Sequence, residues 1–258
     1  MDTAFRAIVA GLIGLAVGSF LTVVVDRVPK KESVVSPRSR CPSCGAGIRA
    51  RDNIPVFSYL LLRGRCHTCQ VRISARYPIL EAATGASFAG VAVVHDRPLP
   101  VVMLCVFCAV MLTVAAIDLE LKIIPNAITY PAVPAFAAIV LLGAILGQDL
   151  DPVRALLGGL AYGGGFFVIA LIAPRGLGMG DVKLTLLIGL VLGSLGLAYV
   201  GVAAGAAILL GGLGGIIALL AGRGRKSAIP FGPFLAAGAL VATFWGERIA
   251  AWYLRALT

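Results

Sequence analysis

The stretch VVMLCVFCAVMLTVAAIDLELKIIPN, residues 101–126, is uncharged until Asp118 and then turns polar. A helix that crosses a membrane needs about 20 mostly apolar residues, and seven other segments of the chain approach that length. We predict eight spans, at about 4–25, 79–95, 99–117, 127–147, 153–173, 182–198, 200–221 and 229–256. The predicted fold is an all-α, polytopic membrane protein with the lipid bilayer as its surroundings.

The overall composition agrees with a membrane location. Of the 258 residues, 59% are hydrophobic and only 13% are charged, whereas soluble proteins carry about 25% charged residues. The net charge of +10 could indicate a nucleic-acid partner. However, 11 of the 22 lysines and arginines lie in the single segment 26–78. Such clustering is typical of membrane topology, so we predict no nucleic-acid binding.

The positive charges also predict an orientation. Basic residues favour the cytoplasmic side, which places segment 26–78 in the cytoplasm. Alternate threading of the eight spans then puts 17 of the 22 basic residues inside and 5 outside, with both termini outside. Beyond segment 26–78, the inside group comprises six residues of later connecting segments and their boundaries, namely Lys122, Arg175, Lys183, Arg223, Arg225 and Lys226.

Four cysteines lie in segment 26–78, between the first two spans, in a C-x2-C-x21-C-x2-C spacing: Cys41, Cys44, Cys66 and Cys69. Two such turns supply the four thiolates of a tetrahedral Zn²⁺ site, and the reducing cytoplasm disfavours disulfides. We therefore predict a zinc-ribbon-like loop held by structural zinc, the alternative being two unligated thiol turns. His67 is a rival ligand, but four thiolates close the shell and predict a solvent-facing histidine. Cys105 and Cys108 lie in an apolar helix and are predicted to act as small hydrophobes.

Two aspartates lie at ends of predicted spans. Asp118 follows one span and Asp181 precedes another, and the topology puts both at the cytoplasmic side. Ionisable residues at this depth are costly and indicate function. Two adjacent carboxylates would share a proton and act as acid and base, as in aspartic proteases. The alternative for Asp181 is a structural role as the N-cap of the following helix.

Several motifs together resemble the prepilin peptidases, which are the leader peptidase and N-methyltransferase enzymes of type IV pilus and type II secretion systems. The matching segments are GSFLTVVVDRVP (18–29), SRCPSC (39–44), NIPVFSYLLLRGRCHTC (53–69), ISARYPILE (73–81), IDLELKIIPN (117–126), GMGDVK (178–183) and IPFGPFLAAG (229–238). They run from the first span to the last. The predicted division is a first helix at 1–25, the zinc-binding loop at 26–78 and a peptidase core at 79–258.

This resemblance implies a bifunctional enzyme of the bacterial inner membrane. Asp118 and Asp181 would be the catalytic pair of a GxGD-type intramembrane aspartic peptidase. It would cut prepilin or pseudopilin precursors after a glycine at the cytoplasmic face and methylate the new N-terminus from S-adenosylmethionine. Thr22 stands where the family commonly has asparagine. The segment 26–78 contains no GxGxxG fingerprint, so the methyl-transfer residues stay unassigned.

The glycines before Asp181 suit a substrate that is presented as extended backbone. Gly176, Gly178 and Gly180 could supply positive φ angles and a close approach of backbone to substrate, and we predict Gly178 and Gly180 as substrate-binding residues. Three other functions stay open at this point. The chain could cleave without methylating, serve as a zinc-bearing membrane scaffold without activity, or use its carboxylates for proton-coupled transport.

Overall fold

The computed structural model describes residues 2–174, 177–221 and 230–257. Within these ranges the chain forms α-helices and no β-strand, apart from isolated bridges in the cysteine loop. The helices are α1 (Thr3–Arg27), α2 (Phe57–Leu61), α3 (Arg76–Val94), α4 (Pro98–Leu121), α5 (Asn126–Ile145), α6 (Pro152–Ile172), α7 (Met179–Leu195), α8 (Leu197–Leu220) and α9 (Gly232–Leu257). Six residues used in the sequence analysis lie outside the described ranges, namely Arg175, Gly176, Arg223, Arg225, Lys226 and Ile229.

Each of the eight predicted spans corresponds to one long helix. Among the described residues, seven helices are long and apolar enough to cross a membrane. The remaining one, α7, is shorter at 17 residues. The largest error in a boundary is at α4, which was predicted to end at 117 and continues to Leu121. Helical hydrogen bonding carries on through the polar turn until Lys122 adopts a left-handed conformation with φ 55°. Asp118 therefore lies inside the last turn of the helix and not beyond its end.

The chain divides into two compact units, Met1–His95 and Asp96–Thr258. The predicted boundaries at residues 25 and 78 remain a prediction. In the first unit, α1 packs along α3. A Cβ at Gly14 would lie 2.8 Å from the Cα of Gly85, and one at Gly18 would lie 2.7 Å from the Cα of Glu81. The absence of side chains at Gly14 and Gly18 is thus what lets the two backbones approach, as in other small-xxx-small pairs.

The second unit is built around α4 and α7, both of which contact α9. The largest fully buried side chains of this unit come mainly from these three helices and include Phe107, Met103, Leu184, Leu187 and Leu235. The outer helices expose many apolar residues, among them Ile145, Ile172, Leu209 and Leu220. Such large apolar surfaces are costly in water and are expected where a helix faces lipid.

Candidate active site and metal centre

Asp118 is a buried carboxylate near the C-terminal end of α4. The residue is 5% exposed, and its main-chain carbonyl accepts the Lys122 N–H at 2.9 Å. Its Oδ2 accepts a hydrogen bond from the backbone N–H of Gly232, the first residue of α9, at 2.9 Å. The aspartate is therefore held by its own helix at the main chain and by α9 at the side chain.

Asp181 lies in the first turn of α7 and is partly buried. The prediction that it could be the N-cap is wrong, because the helix begins two residues earlier and Gly178 occupies the cap position. Asp181 is at the third helical position, and its Oδ2 accepts the Gly178 N–H at 3.3 Å. This is the carboxylate half of a capping box. A stabilising role at the helix start therefore exists, but at a different position from the predicted one.

The fold places the two aspartates at neighbouring helix ends within the second unit. They come from α4 and α7, and Gly180, next to Asp181, packs on Ile124 of the segment that follows α4. Two carboxylates in one partly buried site favour a shared proton, because placing two negative charges there is costly. Such a pair can supply an acid and a base to one reaction. Glu120, the other carboxylate of this turn, is exposed.

The glycines before Asp181 differ from the prediction in one respect. Neither Gly178 nor Gly180 has a positive φ: Gly178 is extended at φ −80° and ψ 147°, and Gly180 belongs to the helix. A close approach exists at Gly180, but to the protein itself: a Cβ there would lie 3.0 Å from the Cβ of Ile124, in the segment that precedes α5. The predicted approach of Gly178 and Gly180 to a substrate stays a prediction.

Lys183 links the start of α7 to the start of α5. Its Nζ donates to Oδ1 of Asn126 at 2.8 Å and lies 4.5 Å from the centre of the Tyr130 ring. A cation over an aromatic face and a charge-assisted hydrogen bond are both favourable. The lysine therefore fixes the turn that carries Asp181 through groups on the neighbouring helix.

The four predicted cysteines form one cluster. Their sulfur atoms all lie within 4.8 Å of one another, and the Sγ atoms of Cys41 and Cys69 are 3.8 Å apart. A tetrahedral ion with metal–sulfur bonds of about 2.3 Å requires sulfurs separated by about 3.8 Å. The cluster therefore fits a metal ion. His67 is exposed and lies outside the cluster, as predicted.

The two cysteine turns share one backbone design. In the first turn, the Cys41 N–H donates to the carbonyl of Ala46, and the Cys41 carbonyl accepts the Gly45 N–H. In the second turn, the Cys66 N–H donates to the carbonyl of Val71, and the Cys66 carbonyl accepts the Gln70 N–H. Backbone N–H groups of Cys44 and Ser43 lower the pKa of Cys41 to about 6. The N–H of Val71 also acts to lower the pKa of Cys69. Burial and the neighbouring thiols outweigh it and raise that pKa to about 12. Four adjacent thiolates repel one another, so a bound cation favours their ionisation.

Sequence reasoning did not identify three residues of these sites. Gly232 and Asn126 lie inside recognised motifs. The contact of Gly232 with Asp118 spans 114 residues, and that of Asn126 with Lys183 spans 57 residues.

The third residue, Glu81, is 9% exposed, and its Oε2 accepts the N–H of Val56 at 2.7 Å. Val56 is a β-branched residue at φ 60°, which is a rare conformation. A carboxylate near the start of an apolar span was the available signal for Glu81.

This architecture defines a polytopic helical membrane protein with a paired-carboxylate site and a four-cysteine cluster. Comparison with known proteins identifies its family. The family described as "Bacterial Peptidase A24 N-terminal domain" matches residues 12–95, and the "Type IV leader peptidase family" matches residues 105–221. The chain belongs to this peptidase family, and it is a multi-pass protein of the bacterial inner membrane.

Curated relatives named "Prepilin leader peptidase/N-methyltransferase" align over nearly the whole chain. The protein from Bacillus subtilis (strain 168) is 36% identical over 95% of this chain and 96% of its own length. That from Burkholderia pseudomallei (strain 1026b) is 33% identical, with coverages of 95% and 87%. The Aeromonas hydrophila protein is 32% identical, with coverages of 94% and 92%. No solved structure gives a significant match.

Proposed function

We propose that this protein is an intramembrane aspartic endopeptidase that removes the short basic leader of type IV prepilin or pseudopilin precursors, and that it then methylates the new N-terminus. The observation that carries this proposal is that Asp118 and Asp181 lie at ends of α4 and α7 in one compact unit, where Gly180 packs on Ile124 and Lys183 bonds to Asn126 in the segment that follows α4. Both aspartates lie in a chain whose relatives bear the name prepilin leader peptidase/N-methyltransferase.

The proposed reaction uses the pair with one proton shared between its members. The ionised carboxylate takes a proton from a water molecule as the water oxygen attacks the scissile carbonyl carbon. The protonated carboxylate donates its proton to the carbonyl oxygen, which gives a neutral tetrahedral diol. As the diol collapses, one of its hydroxyl groups returns a proton to the ionised carboxylate, the C=O bond re-forms and the C–N bond breaks. The other carboxyl group passes its proton to the leaving nitrogen, which restores a pair with one shared proton. This is general acid–base catalysis by two like groups with different protonation states.

The segment before α7 suits a substrate in extended form. Gly178 is extended and exposed, three residues before Asp181. A precursor that enters from the lipid as a helix must unwind at its scissile bond, and unpaired backbone at membrane depth is tolerated only against protein or water. In this proposal Gly178 and Gly180 line the substrate path, and the precursor's leader lies at the cytoplasmic side.

We also propose that the cysteine cluster holds structural zinc and that S-adenosylmethionine is the methyl donor. The ion would be ligated by Cys41, Cys44, Cys66 and Cys69, and it would tie the two cysteine turns together because each turn supplies two ligands. The four thiolates leave no open position, which is typical of a structural site and not of a catalytic one. Methyl transfer is proposed from the relatives' names, without assigned residues. Thr22 offers no free hydroxyl hydrogen to a substrate here, since it donates to the Ser19 carbonyl of its own helix at 2.7 Å.

The decisive experiment is cleavage of a purified prepilin-type precursor by the wild type and by Asp118→Asn and Asp181→Asn, with the products weighed by mass spectrometry. Each variant should reduce cleavage to background, because neither half of the pair can act alone. Glu120→Gln is the matched control, since it removes an exposed carboxylate of the same turn, and it should cleave normally. Normal cleavage by either aspartate variant would refute the pair.

The same experiment separates the remaining alternatives. A mature product heavier by about 14 Da shows methylation, whereas the unmodified mass identifies a peptidase that does not methylate. A wild-type protein that leaves every precursor intact would favour the zinc-bearing scaffold without activity. Proton-coupled substrate flux in proteoliposomes, lost in both aspartate variants, would identify the transporter instead.

A further inference from the structure

The contact between Gly232 and Asp118 joins two motifs that lie far apart in the chain. Gly232 belongs to the segment FGPF, residues 231–234, where α9 begins. Its N–H donates to Oδ2 of Asp118 at 2.9 Å, and both groups are buried. No other hydrogen bond to this carboxylate is found within the described residues.

The sequence around Gly232 leaves this one N–H available. The first N–H groups of a helix have no partner within the helix. Here the N–H groups of Phe234 and Leu235 bond to the Phe231 carbonyl at 3.0 and 3.1 Å, and Pro233 has none. The N–H of Gly232 therefore has no partner within its own helix, and the positive end of the helix dipole favours the anionic acceptor that Asp118 provides.

The position also requires a glycine. A Cβ added at Gly232 would lie 2.6 Å from Oδ2 of Asp118, 3.1 Å from its Cγ and 3.3 Å from its Cβ. These distances are shorter than van der Waals contact, and the aspartate has little freedom to retreat because it is 5% exposed. Any side chain at residue 232 would displace the carboxylate from its observed orientation.

We propose that Gly232 is a positioning residue for the peptidase reaction: its N–H fixes the orientation of the Asp118 carboxylate, and its missing side chain leaves room for that carboxylate. This inference rests on the proposed function and adds a residue of α9 to the two aspartates. Gly232 touches neither substrate nor water in this role and acts through Asp118 alone.

The kinetic test compares Gly232→Ala with Gly205→Ala. Gly205 is a matched control on α8, because a Cβ there meets nothing within 4 Å. Gly232→Ala should lower kcat for precursor cleavage by about ten- to a hundredfold, since small displacements of reacting groups cost rate on that scale, with little change in KM. Gly205→Ala should retain wild-type kcat and KM. A Gly232→Ala enzyme with wild-type kcat would overturn the proposal, whether its KM is unchanged or raised.

A double-mutant cycle tests the contact without using activity. The apparent unfolding temperature in detergent is measured for Gly232→Ala, Asp118→Ala and the double variant. If the added methyl group strains the carboxylate, Gly232→Ala should lower that temperature in the wild-type background and do so much less in the Asp118→Ala background. Equal losses in both backgrounds would overturn the proposed contact, even if the single variant is too unstable for kinetics.

The two proposals fail in different ways. A wild-type chain that cleaves no precursor overturns the peptidase function. A wild type that cleaves, with an inactive Asp118→Asn and a fully active Gly232→Ala, leaves the peptidase intact and overturns the positioning role.

Discussion

At the scale of single residues, two buried carboxylates accept hydrogen bonds from the main chain in apolar surroundings, where an unpaired donor would be costly. Asp118 receives one backbone N–H from Gly232, and Glu81 receives one from Val56. In both cases a side chain on one helix satisfies a main-chain donor from a distant segment. An unsatisfied buried donor costs about 1–3 kcal/mol, so these carboxylates stabilise local structure as well as offering charge.

We expect Glu81→Ala to destabilise the segment around Val56. The substitution removes the acceptor for the Val56 N–H and leaves this residue at φ 60° without its partner. The loss should be about 1–3 kcal/mol in the free energy of unfolding, measured by thermal unfolding and by protease cleavage near residue 56. Glu81→Gln keeps an amide oxygen as acceptor and should stay close to the wild type. Equal behaviour of the alanine and glutamine variants would contradict this role.

At the scale of helices, close packing through glycine fixes α7 and therefore Asp181. A Cβ at Gly163 of α6 would lie 2.8 Å from the Cα of Leu186 in α7, and one at Gly193 would lie 2.6 Å from the Arg154 carbonyl oxygen. Such approach is the usual basis of helix association in membranes. Gly180 provides the same kind of contact at the end that carries the aspartate, and Lys183 adds a polar contact to α5.

We expect Lys183→Met to lower peptidase activity by about ten- to a hundredfold while the protein stays folded. Methionine keeps most of the apolar stem but loses the hydrogen bond to Asn126 and the cation over Tyr130, so the first turn of α7 is less well fixed. Precursor cleavage and thermal unfolding measure the two effects. Lys183→Arg retains the charge and should recover part of the activity. Full activity of the methionine variant would show that α5 does not orient this turn.

At the scale of the whole molecule, the chain combines two compact units with different chemistry. Residues 1–95 contain the cysteine cluster, and residues 96–258 contain the paired aspartates. Metal binding and the paired carboxylates can therefore be tested separately. The basic residues give the whole chain its expected orientation, because they are concentrated in segment 26–78.

We expect the purified protein to contain about one equivalent of zinc per chain. Cys41→Ser should lose most of the metal, because three thiolates cannot close the tetrahedral shell. Cys105→Ala is the matched control, since Cys105 is a buried residue of α4 outside the cluster, and it should retain the metal. Elemental analysis measures both. Retention of zinc by Cys41→Ser would refute the predicted ligand set.

We expect the loop after α5 to face the outside and the turn after α4 to face the cytoplasm. A phosphatase reporter that is active only after export should be active when fused after Gln148 and inactive when fused after Lys122. The basis is the 17 to 5 division of basic residues between the predicted sides. The reverse pattern of reporter activity would invert the proposed topology and place the aspartates at the outer face.

Most of the fold and the principal site residues followed from local patterns. Apolar length alone identified the eight long helices, because a helix satisfies its backbone hydrogen bonds within one segment. The spacing within each C-x2-C pair identified the cysteine turns. The position of Asp118 and Asp181 at the ends of apolar spans identified the two carboxylates, and the resemblance implied that they are catalytic. Helix ends were less accurate, at α4 and at α7, because polar turns can continue a helix when their hydrogen bonds permit it.

What the sequence determined by itself was therefore the set of helices, the thiol cluster and the two candidate carboxylates. The tertiary structure alone decided that Gly232 meets Asp118 and that Glu81 meets Val56, because these contacts join residues 114 and 25 positions apart. It also decided that Gly178 is extended and that Gly180 packs on Ile124. A glycine permits many backbone conformations, and only its neighbours in space select one.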